Sequence, residues 1–220
     1  MSVIQISAPD RRAALKERHR QAIIGAAASL MAEHGALGFT VDDLAARADV
    51  SRRTVFNHFA AVDDIVAAVC ADVLSGVVDS VVAQVSAAPA AGGSTSAVFD
   101  EVAHALRTTD LVTPMAYLTR TLGPPDEQST WRAALMLRSF HEVNERFASA
   151  MAARHPHVDV LDVQLLVNSL MSGLMMLYGH WFALTGAVDD GPARRVWAAL
   201  VDRLVETVRH GYGTPPPTTP

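Results

Sequence analysis

Two short helical segments separated by a two-residue turn constrain this 220-residue chain more than any other feature. Thr40 is a residue type that caps helix N-termini. Asp43, three positions on, can return the bond and suits the positive helix start. The helix they open is short, from Val41 to about Ala48, with Leu44, Ala45 and Ala48 facing inward. Asp49 and Val50 make a turn, and Ser51 caps a second short helix that ends near Phe59. Within "VSRRTVFNHF", Val50, Val55 and Phe59 are the apolar anchors. Ser51, Arg52, Arg53, Thr54, Asn57 and His58 are left for the outside, and Phe56 protrudes. A longer helix precedes the pair, from about Arg12 or Lys16 to His34, with Ala22, Ile23, Ala26, Leu30 and Met31 on its apolar face and Gly35 ending it. Another follows from Val62 to about Val85, with Asp63 and Asp64 in its first turn. This order of elements predicts a helix-turn-helix.

The remaining chain also reads as helices, at about 96–108, 114–122, 127–154, 159–185 and 191–210. The Ala-, Gly-, Pro- and Ser-rich run "SAAPAAGGSTS" over 86–96 is the clearest break. Thr113 and Pro114 offer an N-cap and a first helical residue. Gly123-Pro124-Pro125, His155-Pro156 and Gly186 to Gly191 separate the later helices. No stretch alternates apolar and polar residues long enough for a strand. The fold class is therefore all-α, about nine helices, with an N-terminal helix-turn-helix domain followed by a helical second domain. The expected limits are a flexible arm over 1–15, the first domain over 16–70, the second over 71–212 and a disordered tail over 213–220. Half of the residues are hydrophobic, enough for a sizeable core. The single cysteine, Cys70, excludes an internal disulfide framework and fits a reducing cytoplasm.

The chemistry of the second short helix points to DNA. Arginine can donate two parallel bonds to guanine O6 and N7, and asparagine can do the same for adenine. Threonine and histidine are short donors suited to phosphate oxygens. The net charge of -5 hides an asymmetry: residues 1–59 carry eight Lys+Arg against six Asp+Glu (+2), and the rest carry ten against seventeen (-7). A local basic face matters more for DNA attraction than the whole-chain sum.

Residues 18 to about 70 resemble the DNA-binding domain of the TetR family of bacterial transcriptional repressors. The resemblance rests on the progression "AASLMAEHGALGFTVDDLAARADVSRRTVFNHF", the spacing of Gly35 and Phe39, and the pattern "VS..T.F.HF". It implies base contacts from Arg52 and Arg53 and phosphate contacts from Thr40, Thr54, Phe56 and His58; Ser51 and Asn57 join the DNA-binding set as polar residues of the same outer face. Two positions depart from the family pattern. Phe56 replaces a tyrosine and has no hydroxyl to donate, and Val62 replaces a lysine at the start of the next helix. The expected role is a repressor that binds double-stranded operator DNA.

The resemblance further implies that the second domain binds a small-molecule effector and forms a homodimer. The helix over 159–185 is apolar on nearly all sides, which itself calls for a partner. Leu166, Leu170, Gly173, Leu174, Leu200, Leu204 and Val208 are the expected dimer-seam residues. Met115, Tyr117, Leu118, Trp131, Phe140, His141, Met175, Met176, Tyr178 and Trp181 are the expected ligand contacts, fitting an apolar or aromatic effector. Arg120, Arg138, Asn144 and His180 could help orient it. No cofactor is expected and no metal, since His141 with Glu142 and Glu145, or His155 with His157, lacks a complete ligand set. "LLVNSLMSGLMMLYGHWFAL" (165–184) approaches membrane-span length but holds Asn168, Ser169, Ser172 and His180, so no membrane partner is expected. The basic and apolar start of the chain leads directly into Glu33 and His34, which favours a helix over a secretion leader. No nucleophile elbow, P-loop, dinucleotide fingerprint or metalloprotease helix is present, so an enzyme is not expected. A helical interaction protein that keeps the helix-turn-helix without using it is the other reading, and it predicts no salt-dependent DNA binding.

Overall fold

The computed structural model describes residues 8–36, 38–87, 93–123 and 130–211, the side chains of 8–11 and 130–137 aside. These residues form nine α-helices and no strand. The all-α expectation holds. The chain divides into two compact units, Met1–Asp72 with Arg120–Pro124, and Val73–Thr119 with Pro125–Pro220.

The first unit contains α1 (Ala8–His34), α2 (Val41–Arg47), α3 (Arg52–His58) and the opening of α4 (Val62–Ala87). Helix α1 begins at Ala8, earlier than Arg12 or Lys16, so part of the expected arm is helical. Pro9 is its second residue, a position where a missing N–H forfeits no helical bond. Gly35, at φ 82°, ends α1 and donates its N–H to Met31 O at 2.8 Å. Ile23, Ala27, Leu30 and Met31 of α1 are buried, as are Leu44, Val55, Phe59, Ile65, Val66, Val69 and Cys70 of the elements that follow. Each of the larger side chains contributes about 1.5–3 kcal/mol by leaving water. Arg47 adds a two-pronged bond from α2 to Glu33 of α1, at 2.9 and 3.0 Å. The turn between α2 and α3 needs one left-handed residue, and Asp49 supplies it at φ 52°, a conformation aspartate tolerates better than most residues. Val50 then bonds back to Ala45 O at 3.0 Å.

The second unit holds the rest of α4, α5 (Thr95–Thr108), α6 (Val112–Leu122, to Thr119), α7 (Thr130–Arg154), α8 (Val160–Thr185) and α9 (Gly191–His210). Helix α8 packs between α7 and α9, and α5 packs on both α8 and α9. Val163, Val167, Leu170, Leu177 and Trp181 of α8 meet Trp197, Val201, Leu204 and Val205 of α9 in one core with Val98, Val102 and Leu106 of α5. Trp181 is fully buried. Its indole donates to Ala193 O at 2.9 Å and its ring stands nearly edge-on to Trp197, at 6.0 Å and 74°. Gly173 lies against Leu204, and a Cβ there would stand 2.3 Å from the leucine Cδ1.

Helix α6 starts at Val112, two residues before Pro114, because Asp110 rather than Thr113 caps it, accepting from the N–H groups of Val112 and Thr113 at 3.1 and 3.2 Å. Arg194 at the start of α9 reaches Asp189, Asp110 and the Thr113 hydroxyl at 2.7–3.2 Å, joining the start of α6 to the α8–α9 turn. Helices α4 and α8 are each long and apolar enough to cross a membrane by length and composition. Each also places one face in a helical core: Val78, Val81 and Val85 from α4, and the residues named above from α8. The tail over 213–220, the first seven residues of the arm and the start expected for α7 at 127 lie outside the described residues.

Candidate nucleic-acid interface and ligand cavity

Helix α3 turns Val55 inward and leaves Ser51, Arg52, Arg53, Phe56 and Asn57 exposed, with Thr54 and His58 half-buried. Its N-cap is Ser51, whose hydroxyl oxygen accepts the Thr54 N–H at 3.0 Å and lies 2.8 Å from the Thr54 hydroxyl. Thr40 caps α2 reciprocally. Its oxygen accepts the Asp43 N–H at 3.1 Å, and its own N–H and hydroxyl donate to the Asp43 carboxylate at 2.9 and 2.6 Å. Those bonds hold the Asp43 carboxyl below the usual carboxylate range.

The two arginines differ. Arg52 is paired with Asp42 at 3.0 Å and stands over the Phe56 ring at 5.9 Å, whereas Arg53 has no ion pair among the described residues. Phe56 is 47% exposed, far more than an apolar anchor would be. His58 faces the His19 ring at 6.3 Å, and Arg20 of α1 lies 5.2 Å over Phe59.

Burial, then the charges of Lys16, His19 and Arg20, push the His58 imidazole below its ordinary 6.5. The folded first unit therefore favours neutral His58, and unfolding takes up a proton. Its contribution to stability is present above pH 6.5 and is lost as pH falls through the depressed value. Denaturant midpoints measured across that window are expected to fall with acid less steeply in His58→Gln than in the natural chain; equal slopes would assign the acid response elsewhere. Cys70 is buried and its thiol is pushed up to about 11, which leaves it protonated and unreactive at neutral pH.

The second unit holds a half-open cavity of about 130 Å³ among α4, α6, α7, α8 and α9. Leu74, Val77, Leu111, Pro114, Met115, Leu118, Phe140, Val143, Met171, Leu174, Met175, Tyr178 and Trp197 line it, and none of these carries a charge. Tyr178 is bonded through its hydroxyl to Thr119 Oγ1 at 2.6 Å, and burial pushes its phenol pKa up.

Residues 23–69 match the bacterial regulatory proteins of the tetR family. The N-terminal helix-turn-helix is a TetR-family domain. Solved structures share the fold over most of the chain. The fatty acid degradation regulator FadR from Bacillus halodurans is 16% identical and covers 90% of this chain and 97% of its own, with TM-score 0.53. A tetR-family transcriptional regulator from Streptomyces coelicolor is 21% identical and covers 89% and 83%, with TM-score 0.51. A protein of Mesorhizobium loti MAFF303099 attributed to the same family is 17% identical and covers 87% and 97%, with TM-score 0.54. No curated protein matches the chain by sequence.

The TetR-type domain brings all eight residues expected at DNA to α3, its cap and the cap of α2. The ligand residues are split. Met115, Leu118, Phe140, Met175 and Tyr178 line the cavity. Tyr117 and Met176 do not, and Met176 is 60% exposed. His141 and His180 are exposed, and Arg138, also exposed, pairs with Glu142. Asn144 is buried and donates to Asn168. Trp181 belongs to the core behind the cavity. The side chain of Trp131 lies outside the described residues, and Arg120 belongs to the first unit. Among the described residues no group of three His, Cys, Asp or Glu could hold a metal. Eight lining residues, Leu74, Met171, Leu174 and Trp197 among them, carry no ligand expectation in the sequence, because an apolar residue on a helix reads equally as core.

The expected seam residues are mostly occupied within the chain. Leu170 and Leu204 are buried in its own core, Gly173 abuts Leu204, and Leu174 faces the cavity. Leu166, Leu200 and Val208 are half-buried against the same core. A different stripe of α8 is uncovered: Leu161, Leu165, Ser172, Met176, Gly179 and Ala183 follow the helical repeat and are all exposed.

Proposed function

We propose that this protein is a transcriptional repressor that binds a palindromic DNA operator as a homodimer and is released by a small apolar or aromatic effector. One observation carries the reading. A TetR-family helix-turn-helix presents Arg52, Arg53 and Asn57, donors that can read base edges, on the exposed side of a helix anchored by buried Val55. Thr40, Ser51, Thr54, Phe56 and His58 flank them in positions suited to the DNA backbone. The uncovered α8 stripe, rather than the buried leucines, is the proposed dimer face, and Met115, Leu118, Phe140, Met175 and Tyr178 are the proposed effector contacts. Two domains related by a two-fold axis would read half-sites about one DNA turn, ~34 Å, apart. The effector acts by binding the DNA-incompetent state more tightly than the competent one. Such a protein works in the cytoplasm and needs neither cofactor nor catalysis.

Footprinting on the DNA upstream of its own coding sequence, repeated on fragments selected from random DNA, tests the reading. A protected palindrome with steep salt dependence is expected. Failure to select any sequence would replace it with an interaction protein that keeps the domain unused.

Arg53→Ala is expected to weaken operator binding by ~1–3 kcal/mol with little effect on random DNA, as a base contact would. Arg52→Ala is expected to cost less, because Arg52 must first leave Asp42. Titration of both variants on operator and random duplexes checks the pair, and equal losses on both duplexes would make them phosphate contacts.

A further inference from the structure

We infer that the DNA-binding surface of this chain extends beyond α3 and the cap of α2 onto the first turns of α1, where Arg12, Lys16 and His19 form a stripe that joins His58 on the phosphate backbone. This second anchor rests on the DNA-binding role proposed above.

Helix α1 outruns the core it belongs to. Among its described side chains the first buried one is Ile23, and none from Arg12 to Ala22 is buried. Tertiary packing of one face supplies most of the stability of a helix in a folded protein, and this stretch has no such face. A stretch of this kind is either solvated or covered by a partner outside the chain. Its charge says which partner fits. Arg12, Lys16, Arg18 and Arg20 stand against one carboxylate, Glu17, a net of +3 (four cations less one), and Glu17 already accepts from Gln21 at 3.0 Å.

Ion pairs elsewhere in the first unit sharpen the contrast. Arg47 is taken by Glu33 and Arg52 by Asp42, whereas Arg12, Lys16, Arg18 and Arg20 have no ion pair among the described residues. The helix that follows α3 opens with Asp63 and Asp64, both exposed, so it offers a polyanion no cation there.

The position of the stripe is fixed by two contacts. His58 at the end of α3 faces the His19 ring at 6.3 Å, and Arg20 stands 5.2 Å over the ring of the next residue, Phe59. Residues 12, 16 and 19 recur as i, i+4 and i+7 and therefore share one face of α1. Arg12 lies two turns, roughly 11 Å, outward from His19 along the axis. Arg18 falls on the far side of the helix from this stripe. Burial, then the charges of Lys16, His19 and Arg20, opposed by Glu17, hold His58 towards its neutral form. The excess positive potential at the α1–α3 junction is what a phosphate oxygen would meet with charge-assisted bonds. Phosphate contacts on a helix other than α3 would fix the angle at which α3 enters the groove.

The test uses the full chain, titrated on a selected operator and on a random duplex between about 50 and 200 mM salt. Lys16→Ala is expected to weaken binding to both duplexes alike, by roughly tenfold, and to reduce the slope of log K against log salt by about two, one contact in each half of the proposed dimer. Arg12→Ala should act in the same direction. Arg18→Ala removes the same charge from the far side and should leave the slope unchanged. All three positions are exposed and alanine is the best helix former, so the variants should fold, as thermal unfolding checks. Lys16→Gln, which keeps most of the side-chain length, should match Lys16→Ala. An unchanged slope in Lys16→Ala, equal losses in Lys16→Ala and Arg18→Ala, or a loss confined to the operator would overturn the inference and leave the proposed function standing. A natural chain with no salt-dependent DNA binding would remove both.

Discussion

A chain carrying both Leu165→Glu and Met176→Glu is expected to sediment as a monomer and to bind its operator about a hundredfold more weakly. Both side chains are more than half exposed on α8, at 58% and 60%, so the separate chain should fold with nearly unchanged stability. In a dimer built on this stripe each substitution occurs twice. It removes ~1.5–3 kcal/mol of burial per side chain and places carboxylates in an apolar seam. Loss of the proposed dimer would halve the number of recognition helices per molecule, which is why DNA binding should fall so far. Sedimentation and mobility shift together check this. A double variant that stays dimeric would move the interface to another face.

The second large effect belongs to the core. Trp181→Ala is expected to cost ~3–5 kcal/mol of stability, the range for truncating a buried aromatic residue, and to lower the denaturant midpoint accordingly. The loss combines the hole opened beside Trp197 with the bond to Ala193 O. Trp181→Phe should fall between, since it keeps a ring but not the donor. A Trp181→Ala chain of ordinary stability with impaired effector binding would return this residue to the cavity wall.

Trp181 also shows why the helices were legible in the sequence when parts of the site were not. Caps and breakers act over a few residues. Thr40 with Asp43, Ser51 with Thr54, and Gly35 could therefore be read directly, and the polar face of α3 followed from where Val55 and Phe59 had to point. Side chains one helical turn apart are harder to assign. Met175 borders the cavity and its neighbour Met176 faces away, although both are methionines on the same apolar helix. Which side of α8 meets α9, which meets the cavity and which stays bare depends on the rotation of the helix, and an almost uniformly apolar sequence does not encode that rotation strongly. Leu170 and Leu204, expected at a dimer seam, lie in the chain's own core for the same reason. The Arg52–Asp42 pair joins residues ten apart across the turn and had no local signal at all.

Helix α8 is a single wall with two faces. Met171, Leu174, Met175 and Tyr178 border the cavity, and Leu161, Leu165, Ser172 and Met176 lie on the bare stripe. In a dimer formed through that stripe, the two cavities would be separated only by a pair of helices with axes about 8–10 Å apart. A molecule that displaces Met171 or Met175 on one side would act on the same helix that carries Met176 in the stripe. Occupancy of one cavity would then alter the affinity of the other, and the effector titration should be steeper than a one-site curve, with a Hill coefficient above unity.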